Sequence, residues 1–214
     1  MEKRRISILG DSISTFAGYT PEEAVFYDSY VQWETGVKSV EDTWWMQVIK
    51  ALDGELGTNH SLAGSMVSGN LSTSAMSYER IEKLGTNGIP DIILISAGCN
   101  DWGFCVLPEE FEEAYRTMIH RIKEQYPHAD ICCATLPEGK RPQGETFFNI
   151  DSTISKRVYS DIIRENAQKA QVYIADLANV QEEYETVDGV HPNKAGMHTL
   201  AQMWVREMKK FICK

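Results

Sequence analysis

The feature that most constrains the fold is an unbroken apolar run at residues 92–95, between Asp91 and Ser96. A strand with one face in water alternates apolar and polar residues, whereas a continuous apolar run is typical of a strand covered on both faces. Helices cover both faces of a sheet when its strands are parallel and joined by crossover helices. The run therefore predicts a central strand of a parallel α/β sheet.

Four further short segments have the composition of strands, and amphipathic patterns separate them. The predicted strands are residues 5–9, 55–59, 91–96, 129–135 and 172–175. Predicted helices follow a cap at Asp42, run near residues 75–84, begin at Pro108, follow a cap at Asp151 or Ser152, and follow Asn193. This alternation predicts a doubly wound, parallel, five-stranded sheet with right-handed crossovers, in three α/β/α layers. At 214 residues, and without a linker, the chain is predicted to form one domain, residues 1–214.

Residues 15–40 form the longest stretch without a helical or strand period. The stretch contains six aromatic residues: Phe16, Tyr19, Phe26, Tyr27, Tyr30 and Trp33. We interpret it as a long ordered loop near the exit of the first strand. Such loops are often functional, although the aromatic rings are equally suited to filling a small part of the core.

Charge and hydropathy exclude two classes of partner. The net charge of −10 and the pI near 5.0 leave no basic stripe of the kind that phosphate contacts require, so we expect no nucleic-acid partner. No apolar run approaches the roughly 20 residues of a membrane span. An apolar share of 43% and a charged share of 24% are typical of a globular protein with a sizeable core.

The five cysteines indicate reduced thiols. Their number is odd, no C-x-x-C spacing occurs, and Cys132 and Cys133 lie in a predicted buried strand. The N-terminal residues run directly into the first strand without the apolar segment of a signal peptide. We therefore expect a cytoplasmic location, while a leader removed from the native gene stays an alternative.

The first strand ends at Gly10, and Asp11 and Ser12 follow it directly. Gly10 permits a tight turn, and the carboxyl edge of a parallel sheet is where such folds bind ligands. The pattern favours a serine hydroxyl presented at that edge. An ordinary turn in which Ser12 or Ser14 caps the next segment explains the residues about as well.

Two later strand exits carry similar signals. The second strand leads into a loop that contains Gly64, where a glycine serves either the turn or the close approach of a backbone N–H to a ligand. The third strand leads into Asn100, whose amide is a neutral hydrogen-bond donor, although turn chemistry also explains an asparagine there.

Near the C-terminus, Asp188 precedes His191 by three residues, just before the last predicted helix. A carboxylate this close can orient an imidazole and leave its other nitrogen to accept a proton from a nucleophile. The alternative is a helix entry in which Asp188 and Asn193 act as caps and His191 has no chemical role.

In a doubly wound sheet, these strand exits meet at one edge. Ser12, Asp188 and His191, with Gly64 and Asn100 as hydrogen-bond donors, make a complete set for acyl transfer. The G-x-S-x-G elbow of the α/β-hydrolases is absent from the sequence, so that fold is not assigned.

Four blocks of the chain resemble the SGNH (GDSL-type) hydrolases. They are Gly10-Asp11-Ser12, Gly64 in an Asn-x-x-x-x-Gly loop, Gly98-x-Asn100-Asp101, and Asp188-x-x-His191. The resemblance spans nearly the whole chain and implies a flavodoxin-like three-layer fold. The departures are Ile13 for the usual leucine, Cys99 where threonine is common, and the long insert at residues 16–40.

The resemblance also implies the roles of these residues. Ser12 would be the nucleophile, His191 the base and Asp188 its orienting acid. The oxyanion hole would be formed by the N–H groups of Ser12 and Gly64 and by the Asn100 side chain. No metal or organic cofactor would be needed.

The substrate expected from the sequence is a small-molecule or carbohydrate ester with a short acyl group, such as an O-acetyl sugar. Candidate substrate-binding residues are Asp11 and Trp102, although Trp102 is equally suited to packing. A lysophospholipase, thioesterase or acyltransferase on the same fold stays open. Two other classes are a flavin binder that uses Ser12, Ser14 and Thr15 as a phosphate loop and a non-catalytic ligand-binding module. The sequence carries no signal of oligomeric state.

Overall fold

The computed structural model describes residues 3–140, 153–180 and 182–212. Its strands are β1 (Arg5–Gly10), β2 (Glu55–Asn59), β3 (Ile92–Ser96), β4 (Asp130–Ala134), β5 (Gly139–Lys140), β6 (Tyr173–Ala175) and β7 (Tyr184–Glu185). Five of them form one parallel sheet in the order β2-β1-β3-β4-β6. The predicted parallel five-stranded sheet is therefore confirmed, with the apolar run as its central strand.

Seven α-helices are present in the described residues. They are α1 (Ser29–Thr35), α2 (Trp44–Ala51), α3 (Tyr78–Lys83), α4 (Cys99–Gly103), α5 (Pro108–Gln125), α6 (Lys156–Ala170) and α7 (Lys194–Ile212). The sequence predicted α2, α3, α5, α6 and α7 but neither α1 nor α4. The interpretation of residues 15–40 as a loop is accordingly wrong for α1, a seven-residue helix that is too short to show a sustained period.

Helix starts differ in detail from the prediction. Thr43, not Asp42, caps α2, and its Oγ1 accepts the Met46 N–H at 3.4 Å. Asp42 ends the preceding 3-10 turn, where its carboxylate accepts the Ser39 N–H at 3.1 Å. Ser155 caps α6. The alternative caps for that helix, residues 151 and 152, lie outside the described residues.

The core lies in two layers on either side of the sheet. On one side α2 and α7 pack together, and the indole rings of Trp44 and Trp204 stack with their centroids 4.9 Å apart. On the other side α5 and α6 pack together, with Phe111 and Tyr159 among the buried side chains. Alternate residues of β3 face the two layers, and all of residues 92–95 are buried. This arrangement explains why β3 carries no polar residue between its ends.

The loops at the carboxyl edge carry short elements that the sequence did not predict. β5 and β7 form a separate parallel pair of two-residue strands. A two-residue strand has no detectable alternation, so it cannot be recognised from the sequence. Among the described residues, no helix is both long and apolar enough to cross a membrane.

Candidate active site

Ser12 lies in a 3-10 turn, Ser12–Ser14, directly after β1. Asp11 caps this turn, since its Oδ1 accepts the Ile13 N–H at 3.1 Å. A Cβ at position 10 would come within 2.7 Å of Ser14 Oγ. Close packing against Ser14 therefore requires a glycine at position 10. The turn that begins with the Asp11 cap holds the Ser12 side chain at the end of β1.

The Ser12, His191 and Asp188 side chains form a hydrogen-bonded chain. Ser12 Oγ lies 2.8 Å from His191 Nε2, and His191 Nδ1 lies 2.6 Å from Asp188 Oδ2. All three residues are at least 92% buried, with 7% or 8% of their surface still exposed. Residues 179 positions apart in the sequence are thus brought into direct contact at the carboxyl edge of the sheet.

Asp188 also organises the turn that carries the histidine. Its Oδ1 accepts the backbone N–H groups of Val190 and His191, at 2.9 and 2.7 Å. Burial tends to raise the pKa of Asp188, but the hydrogen bonds and charge of His191 outweigh burial and lower the pKa below its usual value. The carboxylate therefore stays ionised and fixes the imidazole.

The alternative interpretation of this turn is correct in part. Asn193 Oδ1 accepts the Gly196 N–H at 2.9 Å at the start of α7 and so acts as a helix cap. Asp188 instead serves the turn and the imidazole. Capping and orientation of the histidine are therefore divided between the two residues.

Gly64 and Asn100 belong to segments joined by hydrogen bonds near Ser12. Asn100 Nδ2 donates to the Ser65 carbonyl at 2.8 Å, and the Leu62 N–H donates to the Gly10 carbonyl at 3.2 Å. Gly64 is exposed and has a positive φ of 75°, a conformation that side chains disfavour. Among the described residues, neither the Ser12 N–H nor the Gly64 N–H donates to a protein acceptor.

Asp101 is a structural partner that the sequence did not assign. Its carboxylate is fully buried and accepts the N–H groups of Val67 and Ser68, at 2.8 and 2.9 Å. The adjacent Asn100 holds Ser65 in the same loop. Helix α4 therefore fixes the chain that follows Gly64 through two consecutive side chains.

The insert at residues 16–40 reaches the site. The Phe26 ring stacks on the His191 imidazole, with centroids 3.6 Å apart and planes inclined by 11°. The Tyr27 hydroxyl donates to the Pro192 carbonyl at 2.7 Å, and the Ala63 N–H donates to the Ala24 carbonyl at 2.8 Å. The insert therefore bridges the loop that contains Gly64 and the turn that contains His191.

The two candidate substrate-binding residues are both packed. Asp11 is 98% buried, and burial raises its pKa to about 6. The Trp102 Nε1 donates to the Ile154 carbonyl at 2.9 Å, and the Lys156 ammonium lies 4.5 Å from the centroid of the Trp102 ring. These contacts agree with packing of Trp102. A role for either residue in substrate binding stays a prediction.

Two further features lie near the site. A cavity of about 20 Å³ is lined by Asp11, Ile13 and Leu136 among others, but by neither Ser12 nor His191. This volume suits roughly one water molecule. Within the described residues, no group of three or more His, Cys, Asp or Glu side chains is arranged to hold a metal ion.

Solved structures with similar folds cover almost the whole chain. A GDSL-like lipase from Bacteroides ovatus aligns over 98% of this chain and 100% of its own, at 22% identity and a TM-score of 0.72. The inhibitor-bound aryl esterase of M. smegmatis aligns over 98% and 100%, at 17% identity and 0.71. The acetyl xylan esterase AlAXEase aligns over 95% and 99%, at 17% identity and 0.63. At these sequence identities, the similarity shows that this chain shares the fold of those proteins and shows nothing further.

Sequence comparison assigns the family. No curated protein matches the chain. A family model described as GDSL-like Lipase/Acylhydrolase matches residues 4–208, which is nearly the full length. The resemblance seen in the four sequence blocks is thereby confirmed, and the chain belongs to the GDSL-like lipase/acylhydrolase family.

Proposed function

We propose that this protein is a serine ester hydrolase that acts on short acyl groups, with Ser12 as nucleophile, His191 as base and Asp188 as orienting acid. The observation that carries the proposal is the hydrogen-bonded chain from Ser12 Oγ through His191 to Asp188. A nucleophile, a base and an orienting group within hydrogen-bond reach are the requirement for nucleophilic acyl transfer.

The mechanism follows from the direction of these hydrogen bonds. Asp188 accepts the Nδ1 proton of His191, so Nε2 is the acceptor that faces the Ser12 hydroxyl. Ser12 Oγ attacks the ester carbonyl and passes its proton to Nε2, which then protonates the departing alcohol. Water enters in place of the alcohol, gives a proton to Nε2 and bonds to the acyl carbon; the bond from that carbon to Ser12 Oγ then breaks, Oγ takes the proton back from Nε2, and the acid leaves.

The developing oxyanion would be bound by three donors. The N–H groups of Ser12 and Gly64 have no protein acceptor among the described residues, and only one of the two Asn100 amide hydrogens is needed for Ser65. Donors that are fixed before the reaction stabilise the tetrahedral intermediate without reorganisation. Loss of one such donor in other enzymes costs on the order of 10²–10³ in turnover.

The preference for a short acyl group rests on the sequence, in which no long apolar stretch suggests a tunnel for a fatty-acyl chain. An acetyl xylan esterase and an aryl esterase are among the proteins of similar fold, and both names are those of ester hydrolases. An O-acetyl carbohydrate is accordingly the first natural substrate class to test.

The test is hydrolysis of p-nitrophenyl esters of increasing acyl length by the wild type, Ser12→Ala and Ser14→Ala. Ser14 lies in the same turn, but its hydroxyl accepts the Trp44 indole N–H at 3.3 Å. We expect acetate to be cleaved fastest, Ser12→Ala to lose at least about 10³ in kcat, and Ser14→Ala to stay active. A fluorophosphonate should label Ser12 alone.

Other outcomes would favour the alternatives. A maximum at long acyl chains would indicate a lipid or thioester substrate, and acyl transfer to an added alcohol in preference to water would indicate an acyltransferase. Equal rates for the wild type and Ser12→Ala, with no labelling of Ser12, would contradict the proposal, and a complete lack of activity in both would favour a ligand-binding module.

A further inference from the structure

Arg80 is a buried cation that the mechanism above does not use. It is the third residue of α3 and is 99% buried, which makes it one of the largest fully enclosed side chains. Arginine is almost never fully buried without partners, because removing its charge from water is costly. A position of this kind requires specific interactions that offset the cost.

All the donor atoms of the Arg80 guanidinium have acceptors. Nη1 donates to Ser65 Oγ at 2.9 Å and to the Thr73 carbonyl at 3.1 Å. Nη2 donates to the carbonyls of Gly10 and His60, at 2.8 and 2.6 Å, and Nε lies 3.5 Å from His60 Nδ1. Within the described residues, no carboxylate oxygen lies within 4.0 Å of the guanidinium.

The acceptors belong to the segments that carry the proposed oxyanion donors. Gly10 precedes Ser12 by two residues, and His60 and Ser65 lie on either side of Gly64. The carbonyl of Ser65 also receives the Asn100 amide. The Arg80 side chain therefore joins the end of β1, before Ser12, to the loop that contains Gly64. Through Ser65 this loop is also hydrogen-bonded to Asn100.

Gly64 lies in the part of the loop that Arg80 binds. Its φ is 75°, in the left-handed region, and a Cβ there would meet nothing within 4 Å, so this position faces open space. Arg80 binds His60 and Ser65 of the same loop, and Ser65 directly follows Gly64. The guanidinium remains cationic at neutral pH, since burial lowers its pKa only to about 10.

We propose that Arg80 is a positioning residue of the oxyanion hole: as a buried cation it holds the Gly64 loop against the end of β1, in the conformation that the tetrahedral intermediate requires. The inference rests on the proposed ester hydrolysis. Fixed donors and a nearby positive charge interact more strongly with the intermediate than with the neutral ester. Their loss should therefore lower kcat and leave KM nearly unchanged.

The test compares Arg80→Met and Arg80→Lys with Arg121→Met as the matched control. Arg121 Nη1 also donates to a backbone carbonyl, that of Met76 at 2.6 Å, but it has no contact with Gly10, His60 or Ser65. Each variant is assayed for kcat and KM on p-nitrophenyl acetate. The inhibition constant of a trifluoromethyl ketone, which forms a tetrahedral adduct with serine, is measured in parallel.

We expect Arg80→Met to lower kcat about 10- to 100-fold, which does not exceed the kcat loss expected when an oxyanion donor is removed. The KM should stay within about threefold of the wild-type value. The trifluoromethyl ketone should bind more weakly by a similar factor. Arg80→Lys should recover part of kcat, and Arg121→Met should behave as the wild type. A folded Arg80→Met enzyme with unchanged kcat, an effect confined to KM, or equal losses in the two Arg80 variants would overturn the inference.

Arg80→Met leaves buried acceptors without a partner and is therefore accompanied by Ser65→Ala, which removes one acceptor and buries no new charge. Ser65→Ala removes the hydrogen bond from Arg80 Nη1 at 2.9 Å and a longer one from Ser65 Oγ to the Gly10 carbonyl at 3.5 Å, and both join the Gly64 loop to its neighbours. Their loss should lower kcat about 3- to 10-fold, and unchanged kcat in folded Ser65→Ala would overturn the inference if Arg80→Met does not fold. Activity in Ser12→Ala equal to the wild type would instead overturn the proposed function. Ser12-dependent activity that is indifferent to both substitutions would overturn only the role of Arg80.

Discussion

Asp11 shows how burial changes the chemistry of a residue beside the nucleophile. Its carboxyl is 98% buried, and Oδ1 accepts the Ile13 N–H. Burial raises its pKa from 3.8 to about 6, although the hydrogen bond to Ile13 and the charges of His191 and Arg80 act in the opposite direction. The turn therefore keeps a carboxyl that binds a proton more tightly in the folded than in the unfolded state.

This difference predicts a pH-dependent effect of Asp11→Asn. A raised folded-state pKa contributes stability below about pH 4, and that contribution is lost as the pH rises through 6. Asparagine keeps the Oδ1 acceptor and does not titrate. The unfolding free energy of the variant relative to the wild type should therefore increase between pH 4 and pH 7, by at most about 3 kcal/mol for a shift of roughly two units. Urea unfolding at the two pH values measures it, and a constant difference would contradict it.

The residues that the sequence identified differ from those that it missed in one respect. Ser12, Asp188 and His191 lie in local motifs whose chemistry can be read from neighbouring residues. The contacts that give Arg80 and Asp101 their roles are made with distant segments, such as Gly10 for Arg80 and Val67 for Asp101. A charged residue on a short helix normally faces water, so nothing in the sequence separates Arg80 from the exposed arginines.

At the scale of elements, the insert is the part whose structure differs most from the prediction. Asp28 caps α1, with its Oδ1 accepting the N–H groups of Tyr30 and Val31, and Gly36 ends the helix in the left-handed conformation. These cap residues were present in the sequence, but seven residues do not establish an amphipathic period. β2 was predicted with its observed bounds, and α5 with its observed start at Pro108, because Gly54 precedes the strand and a proline opens the helix.

The insert also gives a prediction for Phe26. Its ring covers one face of the His191 imidazole and so restrains the plane in which Nε2 meets Ser12 Oγ. A stacked aromatic ring also stabilises the imidazolium that forms when Ser12 reacts, by roughly 0.5–2 kcal/mol. Phe26→Leu should therefore lower kcat on p-nitrophenyl acetate about 3- to 10-fold, and Phe26→Tyr should retain most of it.

Trp33 provides the matched control for this experiment. It is an aromatic residue of the same insert, lies in α1 and is 72% exposed. Trp33→Leu should leave kcat unchanged on the same ester. Equal kcat in Phe26→Leu and the wild type would show that the stack has no part in catalysis. Equal losses in Phe26→Leu and Trp33→Leu would indicate a general loosening of the insert.

At the scale of the whole molecule, the order of the sheet brings distant segments into one site. β1 lies between β2 and β3, so the exits that carry Ser12, Gly64 and Asn100 are neighbours. The alternation of strands and helices was enough to predict parallel strands and a shared edge. It was not enough to predict that the Phe26 ring stacks on the His191 imidazole at that edge, because this contact depends on how the insert folds back over the sheet.

The two thiols of β4 can report whether the sheet opens locally or only when the whole molecule unfolds. Cys132 and Cys133 are adjacent in β4, point to opposite layers and are both at least 99% buried. Burial raises the pKa of Cys133 to about 12 and that of Cys132 well above its usual value, so neither thiol forms the reactive thiolate at neutral pH. Both should react only when the molecule opens.

We therefore expect a Cys99→Ser/Cys105→Ser/Cys213→Ser variant to resist iodoacetamide under native conditions and to be labelled at both remaining thiols in urea. β4 lies between β3 and β6, and opening it to solvent requires separation of the sheet from both helical layers. The labelling rate, followed by mass spectrometry, should rise with urea as steeply as global unfolding does. Rapid labelling that does not depend on urea would instead indicate local opening at the β4–β6 edge, because such opening exposes little new surface.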